Sequence, residues 1–306
     1  MDAPATTSPL EVRGYDHATD YDRINDFLID VYMPGERMAA WLAPRWEYMH
    51  FHEYIQSVDR TKIGVAEEGG KIIGVVHPEH SMAFGYLQLR PGRQDAAALL
   101  LDHAGLHLGG MSQTFGKRML GVYVSDFDIA VGSLLERRGF QRAPGHDEEQ
   151  SRFVAAQPIT VPGVPDGFSV RSLEEDNDYS KIDRVLWRGF NHEGLPPADG
   201  AESRKRAQQA PNFAKDLTIV VVAPDGEYAA FAGMWLVPQN RVAYVEPVAT
   251  DPAYRRMGLG SAAVVESMRR AVAMGAEVIW VGSDQAFYHS LGFETTCRNM
   301  LWTRDL

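Results

Sequence analysis

The sequence predicts two domains of mixed α/β fold, and three observations lead to this prediction. The chain has 306 residues, which is about twice the usual length of a single domain. Its two halves contain similar short segments in the same order, as an internal repeat would produce. Each half also reads as paired antiparallel strands followed by a strand–helix–strand unit, a pattern that is typical of a mixed sheet flanked by helices.

The internal repeat is faint but ordered. Two short matches lie 158 residues apart, and a third match, a Gly-Phe corner, lies 153 residues apart. A single insertion or deletion before the third match would explain the change of spacing. The matched segments are Val12-Arg13 with Val170-Arg171, Ser125-Asp126 with Ser283-Asp284, and Gly139-Phe140 with Gly292-Phe293.

The boundary between the halves falls in a segment that breaks regular structure. Residues 145–150 are mostly polar, and residues 158–167 contain three prolines and two glycines, a composition that ends strands and helices. We therefore place a linker near residues 150–167, a first domain at residues 1–157 and a second domain at residues 158–306.

Both halves contain the same series of predicted elements. A short strand leads into an amphipathic helix, and two strands joined by a glycine-containing turn then form a hairpin. The turns are Glu68-Gly69-Gly70 in the first half and Pro224-Asp225-Gly226 in the second. The predicted strands are 11–13, 63–67, 71–77, 84–89, 168–171, 218–223, 228–237, 242–249 and 277–282, and the predicted early helices are 21–32 and 179–189.

The charge of the chain excludes some partners. The net charge is −11, with 41 acidic and 30 basic residues, so the surface repels phosphate backbones and nucleic acid is not an expected partner. The same charge would attract a cationic small molecule, although it could also serve solubility alone.

Cysteine usage and the absence of long apolar runs predict a cytoplasmic protein. Cys297 is the single cysteine, which excludes an intramolecular disulfide and a cysteine-built zinc site. No run of about twenty apolar residues and no basic-then-apolar leader is present, so we expect neither a membrane partner nor secretion.

The most informative stretch is a strand, a loop and a helix that meet at Gly258-Leu259-Gly260. Glycine lets a ligand approach the backbone closely, because no Cβ stands in the way. The first amides of a helix have no helical partner and, together with the helix dipole, favour a bound phosphate group. Arg255 and Arg256 add positive charge just before the glycines. The stretch therefore predicts an anion site at the start of a helix.

The helix after the glycines is predicted to be amphipathic and to end at Gly275, since glycine is favoured just past a helix end. Its apolar stripe would contain Ala262, Val265, Met268 and Val272, and the residues facing away would be Glu266, Arg269 and Arg270.

Other interpretations of the glycines exist. A dinucleotide-binding turn would place its first glycine directly after the strand, whereas residues 251–257 intervene here. A nucleoside-triphosphate loop would need a Gly-Lys-Ser/Thr sequence, which does not follow these glycines. A glycine-rich helix start could also serve packing alone.

Longer sequence motifs around the glycines distinguish between these interpretations. Arg255-x-x-Gly258-x-Gly260 follows Val-Ala-Thr-Asp-Pro at residues 248–252, and Phe-Tyr-His-Ser-Leu-Gly-Phe occupies residues 287–293. Together these strings resemble the acetyl-CoA signature of the GCN5-related N-acetyltransferases, and the resemblance covers residues 168–306. It implies two tandem acyl-CoA N-acyltransferase domains, each a mixed, largely antiparallel sheet with a splayed parallel centre flanked by helices.

The resemblance also implies acetyl-CoA as cosubstrate, with no metal. The backbone of Val248 and Thr250 would bind the pantetheine, which inserts between the splayed strands like an added strand. The amides of residues 256–261 would hold the pyrophosphate. The implied cofactor-binding residues are Val248, Ala249, Thr250, Arg255, Arg256, Met257, Gly258, Leu259, Gly260 and Ser261.

Acetyl transfer from a thioester to an amine needs a base for the amine and a proton for the leaving thiolate. The resemblance implies Tyr288 as the general acid and the amide of Val248 as the donor to the thioester oxygen. Glu246, just before Pro247, is the candidate base, acting directly or through a water. Packing alone remains the alternative for Tyr288, and ordered water alone is the alternative base. Asp284 is predicted to cap the helix that follows it.

The acceptor site is predicted in the segment after the first helix of the second half, where the resemblance places acceptor binding. Its candidate residues are Trp187, Asn191, His192 and Glu193. The same residues could instead form a turn with a helix cap. The predicted function is direct acetyl transfer to a small cationic or polar amine, by a monomer or a homodimer. The alternatives are an acyl-CoA sensor without turnover and an enzyme that acetylates proteins or peptides.

The first half lacks counterparts of both motifs, the one at residues 248–260 and the one at residues 287–293. After its strand at residues 84–89 the chain reads Arg90-Pro91-Gly92-Arg93-Gln94, without Gly-x-Gly and with a proline inside the corresponding loop. Alignment of the Gly-Phe corners places Leu135 where the second half has Tyr288. We therefore predict one active site per chain.

Residues 41–52 form the richest aromatic stretch of the chain. They could wall an acceptor pocket shared between the halves or form a core at the interface of the two domains. On a strand, His50 and His52 would face the same side and could bind a metal, but no third ligand is evident.

Overall fold

The structure, a computed structural model, describes residues 9–35, 37, 41–156 and 158–306, without the side chain of Tyr54. It divides into two compact units. The first unit comprises the described residues of Met1–Met49, Glu53–Glu149 and Cys297–Leu306, and the second comprises those of His50–His52 and Gln150–Thr296. The last ten residues thus belong to the first unit, although they follow the second unit in the chain.

The elements follow one another in two similar series. Up to residue 156 they are β1 (Glu11–Gly14), α1 (His17–Val31), α2 (Ala43–Phe51), β2 (Gly64–Glu68), β3 (Lys71–His77), β4 (Phe84–Leu89), α3 (Gln94–His107), β5 (Gly110–Ser112), β6 (Lys117–Ser125), α4 (Ile129–Arg137), β7 (Gln141–Arg142) and β8 (Glu148–Val154). From residue 158 they are β9 (Ser169–Ser172), α5 (Tyr179–Gly189), α6 (Gly200–Ala207), β10 (Ile219–Val222), β11 (Tyr228–Val237), β12 (Val242–Thr250), α7 (Leu259–Ala273), β13 (Val278–Val281), α8 (Ala286–Ser290) and β14 (Glu294–Asp305). Short 3₁₀ turns lie at Glu53–Ser57, Arg60–Lys62 and Pro252–Tyr254.

An aspartate starts the first helix of each series. Asp16 accepts a hydrogen bond from the amide of Ala18, and Asp178 accepts from the amides of Ser180 and Lys181. Such a cap satisfies an amide that has no helical partner. Helix α5 has the predicted bounds, whereas α1 begins four residues before the predicted start because Asp16 caps it.

The sheet of the first unit has a parallel pair at its centre. β1, β2, β3 and β4 are antiparallel neighbours in that order. β6 runs parallel to β4, and residues 299–305 of β14 pair antiparallel with β6. The core on one face of this sheet includes Leu100, Leu101, Leu120, Val122, Leu135, Phe140 and Trp302.

The sheet of the second unit repeats this plan. β9, β10, β11 and β12 are antiparallel neighbours, and β13 runs parallel to β12. β8 pairs antiparallel with β13 through residues 151–154. Helix α7 contributes Leu259, Ala263, Val264, Met268 and Ala271 to the core that also holds Ile279, Val281 and Phe293. Helix α5 contributes Ile182, Val185 and Leu186 to a second core beside Val220 and Phe231.

One sequence prediction about a side chain is wrong, and one alternative that the sequence left open does not apply. His50 lies near the end of helix α2 and His52 follows that helix, so the two rings do not share the face of a strand. Glu266 does not face away from the core but is only 8% exposed. Arg269 and Arg270 bind its carboxylate at 2.6–2.8 Å, and these ion pairs allow the charge to be buried.

Other features of the helices follow the sequence more closely. Ala262, Val265 and Met268 are buried along α7, and the helix ends just before Gly275, whose φ is 101°. Across the described ranges, no helix is both long enough and apolar enough to cross a membrane.

Candidate functional site

The parallel strands of the second unit separate partway along their length. β12 pairs with β13 only from Val242 to Tyr244. On its other edge β12 stays paired with β11 as far as Thr250. Among the described residues, the edge of β12 that faces β13 is therefore unpaired from Val245 to Thr250. Backbone N–H and C=O groups along such an edge can bind an extended ligand as they would an added strand.

A bulge shapes β12 at this point. Its register with β11 shifts between Ala232 and Met234, so β12 has one extra residue around Pro247. Proline has no N–H to give to a neighbouring strand, and a bulge is where a central strand can accommodate it. Trp235 donates its indole N–H to the carbonyl of Glu246 at 2.9 Å. The bulge and this hydrogen bond hold Glu246 near the point where the strands separate.

The two glycines at the start of α7 serve different purposes. Gly258 has a φ of 79°, a left-handed conformation that residues with a Cβ rarely adopt. A Cβ on Gly260 would lie 2.6 Å from Oγ1 of Thr250, so glycine lets the helix approach β12 closely. The first hydrogen bond of the helix runs from the amide of Ala262 to the carbonyl of Gly258 at 3.0 Å. The amides of residues 259–261 precede that bond and can bind an anion.

A groove of about 700 Å³ lies between the unpaired edge of β12 and the start of α7; we call it the β12 groove. Of the residues predicted to bind the cofactor, all but Met257 line it, and Met257 lies in the same loop with its side chain 40% exposed. Five lining residues were not assigned to the site from the sequence, namely Gly189, Phe190, Tyr254, Gln285 and Phe287. The volume is typical of a pocket for a small molecule or cofactor.

Arg255 makes its hydrogen bonds to the protein itself. Its guanidinium donates to the carbonyl of Thr250 at 3.2 Å, to the carbonyl of Gly189 at 2.8 Å and to Oδ1 of Asn191 at 2.8 Å. These bonds fasten the end of α5 to the end of β12. Arg256, with a φ of 67°, is exposed beside the groove and supplies positive charge there.

Tyr288 lines the groove from α8. Its side chain is buried, and the rings of Phe287 and Phe293 meet it edge-on with centroids 5.0 and 5.7 Å away. Burial and, secondly, the negative charge of Glu246 raise the pKa of Tyr288 to about 12. The phenol therefore keeps its proton at neutral pH and can donate it. Glu246 is half-buried on β12 and lies beside the groove rather than in its described lining.

The predicted acceptor residues do not form one cluster. Trp187 stacks on His192 with ring centroids 4.4 Å apart, and its indole donates to a backbone carbonyl of the same turn at 3.3 Å. Asn191 has a φ of 61° and accepts the hydrogen bond described above. Glu193 is exposed. Trp187 belongs to α5, the other three residues lie in the segment that follows it, and of the four Asn191 lines the β12 groove.

The sequence prediction for Asp284 is wrong. Helix α8 begins after Gln285, whose side chain makes no capping bond, and Asp284 is exposed. Ser283 instead accepts a hydrogen bond from the amide of Gln285 at 3.2 Å. Phe287 could have been assigned to the groove, because it lies beside Tyr288 in the recognised string. Tyr254 and Gln285 have no local signal, since their place depends on where two loops meet.

The corresponding strands of the first unit leave much less space among the described residues. The ring of Tyr86 on β4 stacks on Tyr123 of β6 at 4.9 Å. Trp41 lies 4.6 Å from Tyr86, and its amide donates to Oε1 of Gln88 at 2.8 Å. The space that remains there is about 10 Å³, roughly the volume that one water occupies. Leu135 is fully buried on α4.

Fold and site together define a class of protein. The second unit opens its parallel strands beside a Gly-x-Gly helix start and a protonated tyrosine, which is an arrangement suited to binding an extended, phosphate-bearing acyl donor. Within the described ranges, no group of three or more His, Cys, Asp or Glu side chains could hold a metal ion. The arrangement in the second unit is suited to acyl transfer.

A family model matches part of the second unit. Residues 181–293 match the family model described as Acetyltransferase (GNAT) family. This part of the chain is therefore a domain of the GNAT family. No curated protein matches the chain.

Solved structures show that the likeness extends over the whole chain. A tandem GNAT protein from the clavulanic acid biosynthesis pathway is 16% identical, with 97% of this chain and 98% of that chain covered and a TM-score of 0.66. A GCN5-related N-acetyltransferase from Sphaerobacter thermophilus is 14% identical over 97% of this chain and 98% of that one, with a TM-score of 0.60. A GCN5-related glucosamine N-acetyltransferase region of a fungal multi-domain GH3 β-N-acetylglucosaminidase is 14% identical over 99% of this chain and 39% of that one, with a TM-score of 0.56. The chain thus has the tandem GNAT fold.

Proposed function

We propose that the second unit transfers an acetyl group from acetyl-CoA to the amine of a small cationic or polar acceptor. The observation that carries the proposal is the β12 groove, which brings together an unpaired strand edge, a Gly-x-Gly helix start and the phenol of Tyr288. The edge suits an extended pantetheine, and the helix start suits a pyrophosphate. GNAT membership of residues 181–293 supports acyl transfer in general.

The fit of the groove to an acyl-CoA is supported by its backbone. Glycine at position 260 lets the start of α7 approach Thr250 closely, so that the helix amides and the unpaired edge of β12 line the same groove. Val248 and Thr250 lie on the unpaired part of β12, so their backbone groups would bind the pantetheine. The amides of residues 256–261 and the charge of Arg256 would hold the pyrophosphate.

In the proposed reaction acetyl-CoA supplies the acetyl thioester. Glu246 takes a proton from the ammonium group of the acceptor, directly or through a water, so that the nitrogen has a free electron pair. As the nitrogen–carbon bond forms and the carbon–sulfur bond breaks, the amide of Val248 donates to the carbonyl oxygen. Tyr288 gives its proton to the departing sulfur, and the phenolate regains a proton, through water, from the nitrogen of the new amide. The raised pKa of Tyr288 ensures that this proton is present.

The charge of the chain supports a cationic acceptor. The net charge of −11 favours the approach of an ammonium ion over that of an anion. An acyl-CoA sensor without turnover would not require a protonated phenol with a carboxylate beside it, so Tyr288 and Glu246 favour an enzyme over that alternative. An enzyme that acetylates proteins or peptides is the remaining alternative, which an acceptor screen would identify.

We also propose one active site per chain. Trp41 and Tyr86 occupy the space beside the parallel strands of the first unit, and Leu135 takes the place of a phenol there. The single cysteine and the acidic charge favour a cytoplasmic protein that does not bind nucleic acid and acts as a monomer or a homodimer.

Two measurements test the proposal. Acetyl-CoA at a hundredfold excess over its Kd should stabilise the protein by about 2.7 kcal/mol, seen as a raised Tm. Release of free CoA thiol should then follow when small amines, but not peptides, are added. An unchanged Tm would contradict the cofactor assignment, and a raised Tm without CoA release from any amine or peptide would favour the sensor.

A further inference from the structure

A cluster of buried polar groups in the second unit has no role in the site described so far. Gln150, on β8, is 1% exposed, and neither end of its amide has a hydrogen-bond partner within the described ranges. The indole N–H of Trp280, on β13, is likewise buried without a partner in that part of the chain. Folded proteins rarely leave such groups unpaired, because each has given up its hydrogen bonds to water. A polar group bound beside them would supply the missing hydrogen bonds.

The amide of Gln150 lies beside Gly282, and Trp280 precedes Gly282 by two residues in the chain. A Cβ at that position would lie 3.2 Å from Oη of Tyr244, 3.8 Å from the amide nitrogen of Gln150 and 3.9 Å from its amide oxygen. Gly282 is exposed, so a ligand can reach the space above it. Tyr244 and Trp280 are register partners and form the last pair before β12 and β13 separate. We call Gln150, Tyr244, Trp280 and Gly282 the Gly282 cluster.

The Gly282 cluster borders the proposed reaction centre. Thr250 and the start of α7 stand at one end of the unpaired edge of β12, and Tyr244 stands at the other end. Glu246 follows Tyr244 by two residues on the same strand, and its charge acts on Tyr288. A molecule bound at the cluster would therefore reach the thioester from the end opposite the nucleotide, as an acceptor must.

The polar groups of the Gly282 cluster define the chemistry of the ligand. The Gln150 amide can both donate and accept hydrogen bonds, the Trp280 indole can only donate, and the phenol of Tyr244 adds a hydroxyl. A hydroxyl group of the ligand can both accept and donate, so it satisfies this set. A second ammonium group cannot, because none of the four residues supplies a negative charge to neutralise it.

We propose that the Gly282 cluster binds a hydroxyl group of the acceptor. The acceptor is then a hydroxylated amine, of the amino sugar or amino alcohol class, rather than a polyamine. The inference rests on the proposed function, because it places the acceptor of that same reaction. Replacement of Gln150 should therefore weaken acceptor binding without changing the affinity for acetyl-CoA.

The experiment compares three amines as acceptors by release of CoA thiol. Glucosamine carries hydroxyl groups, cyclohexylamine has a ring of similar size without them, and putrescine carries a second ammonium. The wild-type protein should show kcat/KM for glucosamine at least about tenfold above that for the other two amines. Gln150→Leu should bring the ratio of glucosamine to cyclohexylamine close to one, mainly through KM. Gln150→Glu should shift the preference toward putrescine, since it adds a carboxylate.

Controls keep the test decisive if Gln150→Leu fails to fold. Trp280→Phe removes one donor and should lower the same ratio. Gln208→Leu removes an amide that is paired with Asn177 at 2.9 Å through both ends, so it should leave the ratio unchanged. The Kd for acetyl-CoA, measured by calorimetry, should be the same for all four variants.

The outcomes separate the two proposals. If the wild-type protein releases CoA with none of the three amines or any other, the proposed function fails and this inference fails with it. If it acetylates amines but prefers putrescine, or shows no preference for hydroxyl groups, only the inference is overturned. Retention of the wild-type ratio by Gln150→Leu would also overturn it, because the cluster would then hold a structural water.

Discussion

A methyl group at position 260 would disturb the β12 groove by an amount that the structure defines. The added Cβ of Gly260→Ala would lie 2.6 Å from Oγ1 of Thr250, whereas ordinary contact begins at 3.4 Å. The start of α7 and the end of β12 would have to move apart by the difference, about 0.8 Å. Both segments are proposed to hold the same cosubstrate. A misplacement of about 1 Å between groups that act on one ligand can lower a reaction rate roughly a hundredfold. We expect the Kd for acetyl-CoA to rise about 10- to 100-fold, or roughly 1.4–2.7 kcal/mol.

Calorimetric titration of acetyl-CoA measures this effect, and two further variants identify its cause. Thr250→Ala removes the atom that the methyl group meets, so Gly260→Ala combined with Thr250→Ala should regain most of the affinity of Thr250→Ala alone. Gly258→Ala is the matched control, because a Cβ there has nothing within 4 Å but the residue has a φ of 79°. Its cost is backbone strain of about 1 kcal/mol, which Thr250→Ala should not relieve. An unchanged Kd for Gly260→Ala, or no recovery in the double variant, would refute the reasoning.

Three further predictions concern Tyr288, Arg255 and His77. Tyr288→Phe should lower kcat by about 10²- to 10⁴-fold while the Kd for acetyl-CoA stays within about twofold, because the ring remains and only the proton donor is lost. Arg255→Ala should speed hydrogen exchange at residues 189–191 and raise the Kd for acetyl-CoA, since it removes the three hydrogen bonds that join the end of α5 to the end of β12 beside the β12 groove. Burial lowers the pKa of His77 to about 4, although the hydrogen bond with the carbonyl of Pro78 and the negative charge of Glu79 both act to raise it. Stability is therefore full above pH ~6.5, where His77 is neutral in both states, and falls by up to about 3 kcal/mol as the pH drops to about 4.

The controls for these predictions use conservative variants. Arg255→Lys should recover part of the protection from exchange, and unchanged exchange in Arg255→Ala would show that α5 is held by other contacts. His77→Gln cannot titrate but can still bond its neighbours, so its urea-unfolding free energy should lose the part of the slope that His77 contributes. A variant with the wild-type slope would contradict the assignment to His77. An unchanged kcat in Tyr288→Phe would remove the phenol from the chemistry.

The start of α7 could be predicted from the sequence because its physical constraints are local. The left-handed φ of Gly258, the close approach at Gly260 and the apolar stripe of the helix all depend on residues within one strand–loop–helix segment. The hairpins could also be predicted from the sequence, because glycine-containing turns between runs of apolar residues indicate them. These features fixed the fold class and most of the groove.

Other features depend on partners that are distant in the sequence or on burial that no short pattern reveals. Helical periodicity predicts that Glu266 is exposed. Its carboxylate is buried instead, because Arg269 and Arg270 on the same helix form ion pairs with it. Trp41 packs beside Tyr86, which lies 45 residues later in the chain. The role of Arg255 could not be read from its charge, because its partners are backbone carbonyls rather than an anion. The unpaired amide of Gln150 is informative only once its burial is known.

The order of synthesis gives the position of β14 a particular meaning. A chain leaves the ribosome from its amino end, so β6 emerges long before the strand that pairs with its residues 119–125. Trp302, which packs into the core of the first unit, also arrives after the whole of the second unit. Until then one edge of β6 is open to pairing with other chains, which exposes the nascent first unit to aggregation. The unit that is translated first is therefore the one that matures last.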